Sequence, residues 1–193
     1  MTLENNVVHD VIKFGIIGAN NGVNSIDNNI VNGVRTENVP ASTIPYMTWL
    51  GQHAGLKILD SPGTTVTNNI VASTWHAGYM LQADTCASGT TSHTGNVAHS
   101  ISGYGLIVQP PTVEEICLKF SDFSGYKTRI GTMHMGGGLH AKEIEISNIV
   151  TIDSEAGLMA FGGTDDGKIT VSNSVFYGGQ NMPNLDCPDT NDP

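Results

Sequence analysis

Histidine is the residue of this chain best suited to holding a metal or moving a proton, and there are seven: His9, His53, His76, His93, His99, His134 and His140. None stands in a His-x-x-x-His pair or beside a Cys-x-x-Cys pair, the spacings that bring ligands onto one metal. His134 and His140 flank Met135-Gly136-Gly137-Gly138. That glycine stretch could fold them together, but solvated loop histidines are the commoner outcome. Thr164-Asp165-Asp166-Gly167 offers two carboxylates, as a glycoside hydrolase needs. Asp-Gly ahead of the apolar Lys168 to Val171 run reads first as a turn. A polysaccharide lyase would need a calcium site and a basic residue, and of the eight Lys and Arg only Lys127 and Arg129 form an alternating pair. Asp186, Asp189 and Asp192 gather acid in the tail, yet they lack the EF-hand loop pattern, which leaves calcium a minor option. No catalytic, cofactor-binding or metal-binding residue is assigned, and no enzymatic activity or cofactor is expected.

The remaining reactive groups are three cysteines, Cys86, Cys117 and Cys187. Cys86 and Cys117 are 31 residues apart. Both are expected in loops rather than strands, on what would be adjacent turns of a repeat, so a bridge between neighbouring bends is feasible. Three separate thiols fit the sequence equally well. With 18 acidic against 8 basic residues, the formal charge is −10, which opposes attraction to nucleic acid and anionic membrane. No run of eighteen apolar residues occurs, no secretory leader opens the chain, and no Asn-x-Ser/Thr is present.

What positions these groups is a repeat. Asn6, Asn29, Asn69, Asn96, Asn148 and Asn173 each lie in or beside a β-branched run, at intervals of 23, 40, 27, 52 and 25. Splitting the 52 into equal halves puts Asp122 in the series as one acidic rung. Glycine follows nine residues later at Gly15, Gly78, Gly105, Gly131 and Gly157. Each unit holds two short apolar runs, for example Ile70-Val71 and Tyr79-Met80, too short for helices. A period near 25 residues built from short strands is one turn of a parallel β-helix. The fold class expected is therefore all-β, a right-handed, single-stranded parallel β-helix of about seven coils, on the order of 34 Å long at the usual strand spacing. Stacked amides would satisfy one another in a ladder of Asn6, Asn29, Asn69, Asn96, Asp122, Asn148 and Asn173. The glycine column would need positive φ or close backbone approach.

The β-helix domain is expected over residues 1–180, with an insertion at about 34–56 and a projecting loop at about 82–95. Residues 181–193 form an acidic, Pro- and Asn-rich exit. The long Asn29 to Asn69 interval holds Pro40, Pro45, Trp49 and His53, and Leu56-Lys57-Ile58-Leu59 could add a strand. The repeat begins at once, which predicts a segment of a longer chain.

Asn68-Asn69-Ile-Val-Ala-Ser-Thr-Trp-His-Ala-Gly78-Tyr, then Cys86, Asn96-Val-Ala-His-Ser100 and Gly103-Tyr-Gly105, resembles the β-helix region of fibrocystin and fibrocystin-like proteins. The opening Asn5-Asn6-Val-Val-His-Asp and the closing Ser174-Val-Phe-Tyr-Gly-Gly with Asp186-Cys187-Pro-Asp are similar to it too. The likeness covers nearly the whole chain, apart from Val34 to His53. It implies a PbH1-type β-helix segment of a very large extracellular glycoprotein on the cell surface, a cilium or another projection, with no catalytic residues to carry over. The expected function is a noncatalytic structural or adhesive module, meeting protein or glycan partners and neighbouring domains of its own chain. No nucleic acid partner and no transmembrane segment are expected. Two alternatives stand beside it: a polysaccharide-binding or polysaccharide-cleaving enzyme of pectinase or hyaluronidase type, and a self-assembling fibre subunit.

Overall fold

Short β-branched runs closed by Asn, Asp, Ser or Gly become strands of 3 to 7 residues. A computed structural model describes residues 1–19, 23–35, 53–59, 63–82, 86, 91–109, 116–135, 141–160 and 167–178. Its strands make three parallel sheets. Sheet A stacks Thr2–Glu4, Ser25–Asp27, Thr65–Thr67, Thr91–Thr94, Ile116–Ser121, Ala141–Ser147 and Lys168–Ser172. Sheet B stacks Val7–Ile12, Ile30–Arg35, Ile70–Ala72, Val97–Ile101, Ser124–Thr128, Val150–Ser154 and Val175–Gly178. Sheet C stacks Phe14–Ala19, Ala54–Leu59, Ala77–Gln82, Tyr104–Gln109, Gly131–Met135 and Leu158–Ala160. The chain visits A, B and C in turn, then climbs one level. That is the expected parallel β-helix, with seven passes through A and B.

One coil cannot bury its own apolar side chains, so the core is a stack. Ile26, Val66, Phe120 and Ile146 point inward from sheet A, Val31, Val71 and Ala98 from sheet B, and Leu56, Leu106 and Met133 from sheet C. Burying a side chain of this size contributes about 1.5–3 kcal/mol. The outer faces differ. Sheet C is buried on its outer side as well, where Ala54, Ala77, Met80 and Ile107 form a second cluster with Tyr104 against it. Its strands accordingly read as continuous apolar runs, such as Leu106-Ile107-Val108.

The glycine marker is a matter of space. Gly15, Gly55, Gly78, Gly105, Thr132 and Gly157 form one column of sheet C, and none of these glycines has positive φ. A Cβ on Gly55 would collide with Val71, and one on Gly78 would lie 2.6 Å from the Gly105 carbonyl oxygen. Gly131 is not in this column; Thr132 takes its place. The room for Thr132 comes from the facing sheet, where Gly125 stands in the column of Val31, Val71 and Ala98.

Two expected boundaries move. Val34 and Arg35 belong to a sheet B strand and Ala54–Leu59 is a regular sheet C strand whose Gly55 restores the glycine column, so the expected bounds of 34–56 are too wide; residues 36–52, with Pro40, Pro45 and Trp49, lie outside the described residues. The loop expected to reach residue 95 ends sooner, since Thr91–Thr94 is a sheet A strand paired with Ile116–Ser121.

Candidate functional site

The asparagines form two columns, not one. Asn6, Asn29, Asn69 and Asn96 stack in the inner column, the last three buried, and the Oδ1 of Asn29, Asn69 and Asn96 each accepts both the backbone N–H and the side-chain Nδ2–H of the Asn one coil before it, at 2.9 to 3.1 Å. The Nδ2 groups also donate to backbone carbonyls, for Asn69 those of Ile26 and Thr67. Asp122 does not continue this column. Val97 pairs with Ser124, which sets Asn96 level with Phe123, and the rungs after it are Ile149 and Ser174. Ser174 keeps part of the pattern, its Oγ accepting from the Ile149 N–H at 3.2 Å and donating to the Ser172 carbonyl.

Asp122, Asn148 and Asn173 belong to the neighbouring column with Asn5, Asn28, Asn68 and Gly95. Every member has φ between 49° and 70°. This is the left-handed corner joining sheets A and B, which suits Asn, Asp and Gly. Asp122 accepts hydrogen bonds from Thr94 and Asn148, and these, with one from Ser121, hold its carboxyl below the usual range. The 52-residue interval divides as 27 and then 25 for the inner and outer markers named, so an equal split slips by one residue.

A second left-handed column closes sheet B: Asp10, Gly33, Ser73, Ser100, Lys127 and Asp153, with φ of 52° to 75°. The bend turns side chains outward and opens a shallow groove of about 260 Å³ lined by Val34, Arg35, Ser73, Thr74, Trp75, Ser100 and Ser102. Backbone bonds fix its floor: the Trp75 N–H donates to Val34 at 3.1 Å, and the Ser102 N–H to Thr74 at 3.0 Å. The Thr74 hydroxyl, buried, donates to the Ala77 carbonyl at 2.8 Å. Trp75 is 42% exposed. Arg35 Nη2 meets Asp10 Oδ1 at 3.2 Å. Sequence reasoning passed over this groove; its only signal was a tryptophan directly after the Ser73-Thr74 corner.

Sheet B has an open outer face. Val7, Ile30, Ile70, Val97, Ser124, Val150 and Val175 form one row, and Val7, Ile30, Ile70, Val150 and Val175 are exposed. The adjacent row carries His99, Tyr126, Ile152 and Tyr177, with the His99 and Tyr126 rings stacked at 4.7 Å.

The histidines are dispersed. His93 points into the core, stacked 5.0 Å from Phe120, and its Nδ1 accepts from the Val66 N–H at 3.2 Å; burial holds its pKa down at about 4. His76 is held to about 4 by burial first and then by the charges of His53 and Lys57. Lys57 is buried over the Phe14 ring at 4.9 Å, and burial lowers its pKa. His134 packs on Tyr104, while His140 lies outside the described residues, as do Asp165, Asp166, Asp186, Cys187, Asp189 and Asp192. Lys127 is a left-handed corner between Ser100 and Asp153, and Arg129 bonds through its backbone to Ile101. Among the described residues no three His, Cys, Asp or Glu side chains gather as metal ligands. Cys86 and Cys117 are joined in a disulfide, with Cα atoms 4.7 Å apart, but Cys117 lies in the sheet A strand Ile116–Ser121 and not in a loop as expected.

Three parallel sheets wound from one chain, with amides stacked at one corner and glycines at another, define a parallel β-helix repeat region. The chain is 30% identical over 159 residues to fibrocystin of the dog, an alignment that covers 80% of this chain and 4% of that protein. It thus has a fibrocystin-like β-helix region, and spans about 4% of the length of the curated relative it matches. No family model matches the chain. No helix among the described residues is long and apolar enough to cross a membrane.

Proposed function

We propose that this chain is a noncatalytic, rigid module of a large fibrocystin-like protein, displayed outside the cell on its surface or on a cilium, and that it adheres through the outer face of sheet B. The observation carrying this reading is the exposed apolar row Val7, Ile30, Ile70, Val150 and Val175. Exposed apolar residues on three successive rungs, Val7, Ile30 and Ile70, with Val150 and Val175 beyond Val97 and Ser124, mark a contact surface. The ladder and three continuous sheets hold the row in register, at about 4.8 Å per rung. The Cys86–Cys117 bridge suits an oxidising compartment. Partners are proteins of the same surface, including other domains of the parent chain.

Surfaces coated with the purified segment are expected to retain ciliated epithelial cells. A triple variant Ile30→Lys, Ile70→Lys, Val150→Lys should lose retention while melting within a few degrees of the parent. Equal retention by that variant would overturn the assignment of the face. Release of reducing ends from pectin or other uronic or neutral polymers would overturn the noncatalytic reading.

A further inference from the structure

We infer that the groove at the corner between sheets B and C is a binding subsite for a neutral glycan, with Trp75 as its platform and Arg35, paired to Asp10 at its edge, as its polar contact. The site is separate from the outer face of sheet B and stands without it. Its lining is one exposed indole, three serine hydroxyls from Ser73, Ser100 and Ser102 and one guanidinium, over a floor of Val34 and Thr74. That composition lacks the deep apolar pocket a peptide side chain would fill. It matches a pyranose, which has an apolar C–H surface to lie on an aromatic ring and a rim of hydroxyls that both donate and accept.

Charge selects the class of sugar. Arg35 is already neutralised by Asp10 at 3.2 Å. The contact uses one guanidinium nitrogen, while the second Asp10 oxygen meets His9 Nδ1 at 3.3 Å, so the guanidinium keeps further donors for adjacent hydroxyls. A net charge of −10 on the chain disfavours a polyanion. The site is also preorganised. Ser73 and Ser100 are held in left-handed corners at φ 52° and 56°, and the backbone bonds from Trp75 to Val34 and from Ser102 to Thr74 fix the platform before a ligand arrives. The groove crosses three coils, from Arg35 through Trp75 to Ser102, so it runs along the rod. A linear chain of sugars fits that direction better than a branched cap.

The chain has two tryptophans, Trp49 and Trp75, so the experiment uses a Trp49→Phe background in which fluorescence reports Trp75 alone. Hexamers of β-1,4-glucan, β-1,4-mannan and β-1,4-N-acetylglucosamine are titrated beside oligogalacturonate as the acidic comparison. A saturable change with at least one neutral hexamer is expected, insensitive to salt. Binding to the same hexamer by calorimetry should weaken at least tenfold in Trp75→Ala and several-fold in Arg35→Gln, with melting temperatures close to the parent. No saturable signal with any neutral hexamer at millimolar concentration would overturn the proposal. So would undiminished calorimetric binding in Trp75→Ala, or a preference for oligogalacturonate that disappears with salt.

Discussion

Acid should loosen this rod through His93. The ring is stacked on Phe120 inside the core, its Nδ1 is used by the Val66 N–H, and its pKa lies near 4 against 6.5 for a free histidine. The unfolded chain therefore binds a proton that the folded chain refuses. Stability from this residue is complete above pH 6.5 and falls as pH drops toward 4, by about 3 kcal/mol in all. Just above the isoelectric point near 4.9, at about pH 5.5, the loss should be about 1.4 kcal/mol, a tenfold change in the folding equilibrium. Urea melts followed by circular dichroism at pH 7.5 and 5.5 measure it. In His93→Leu the drop between the two pH values should shrink by that amount, while the lost acceptor for Val66 affects both conditions equally and cancels. His76, held to about 4 by burial and by His53 and Lys57, keeps its own share of the acid response. An unchanged drop in His93→Leu would refute the reasoning.

The inner and outer columns predict opposite sensitivities. Asn69→Leu strands the backbone N–H of Asn29 and takes the Nδ2 donor from the carbonyls of Ile26 and Thr67, and should destabilise by about 3 kcal/mol or more in urea melts. Asn148→Gly at the left-handed corner should be nearly neutral, whereas Asn148→Val should lose about 1–2 kcal/mol. Gly55→Val collides with Val71 and should lose at least about 2 kcal/mol, seen as a lower melting temperature. Reducing the Cys86–Cys117 bridge, which spans 31 residues, should lower stability by up to about 4 kcal/mol, with the same shift in Cys86→Ala/Cys117→Ala.

The winding of the chain was legible because its signals are local and repeated: short β-branched runs, corner amides, and a period that survives from Asn6 to Asn96. Register at the far end was not, because Asn5-Asn6, Asn28-Asn29 and Asn68-Asn69 are dyads in which the first residue turns the corner and the second faces inward. Once the inner residue becomes Phe123 or Ile149, only the corner residue stays polar, and counting amides steps across to the wrong column. Glycine misled in the same coil, since Gly131 sits beside a column position that Thr132 occupies only because Gly125 recedes opposite it. Such compensation links residues in different sheets and leaves no mark on spacing. The groove at Trp75 was hidden for a related reason: Arg35, Trp75 and Ser102 come from three successive coils, and only stacking makes them neighbours.

The stretch between Arg35 and Ala54 shows how little the lattice depends on the length of its bends. Asn29 reaches Asn69 across 40 residues with the same 2.9 Å bond that Asn6 makes to Asn29 across 23. Closing a longer bend is entropically mild, roughly 0.6 kcal/mol for each doubling. That corner is therefore a grafting port: a foreign epitope or small domain whose ends meet could be spliced in after Arg35, to be carried at a fixed level of the stack while the strands on either side keep their partners.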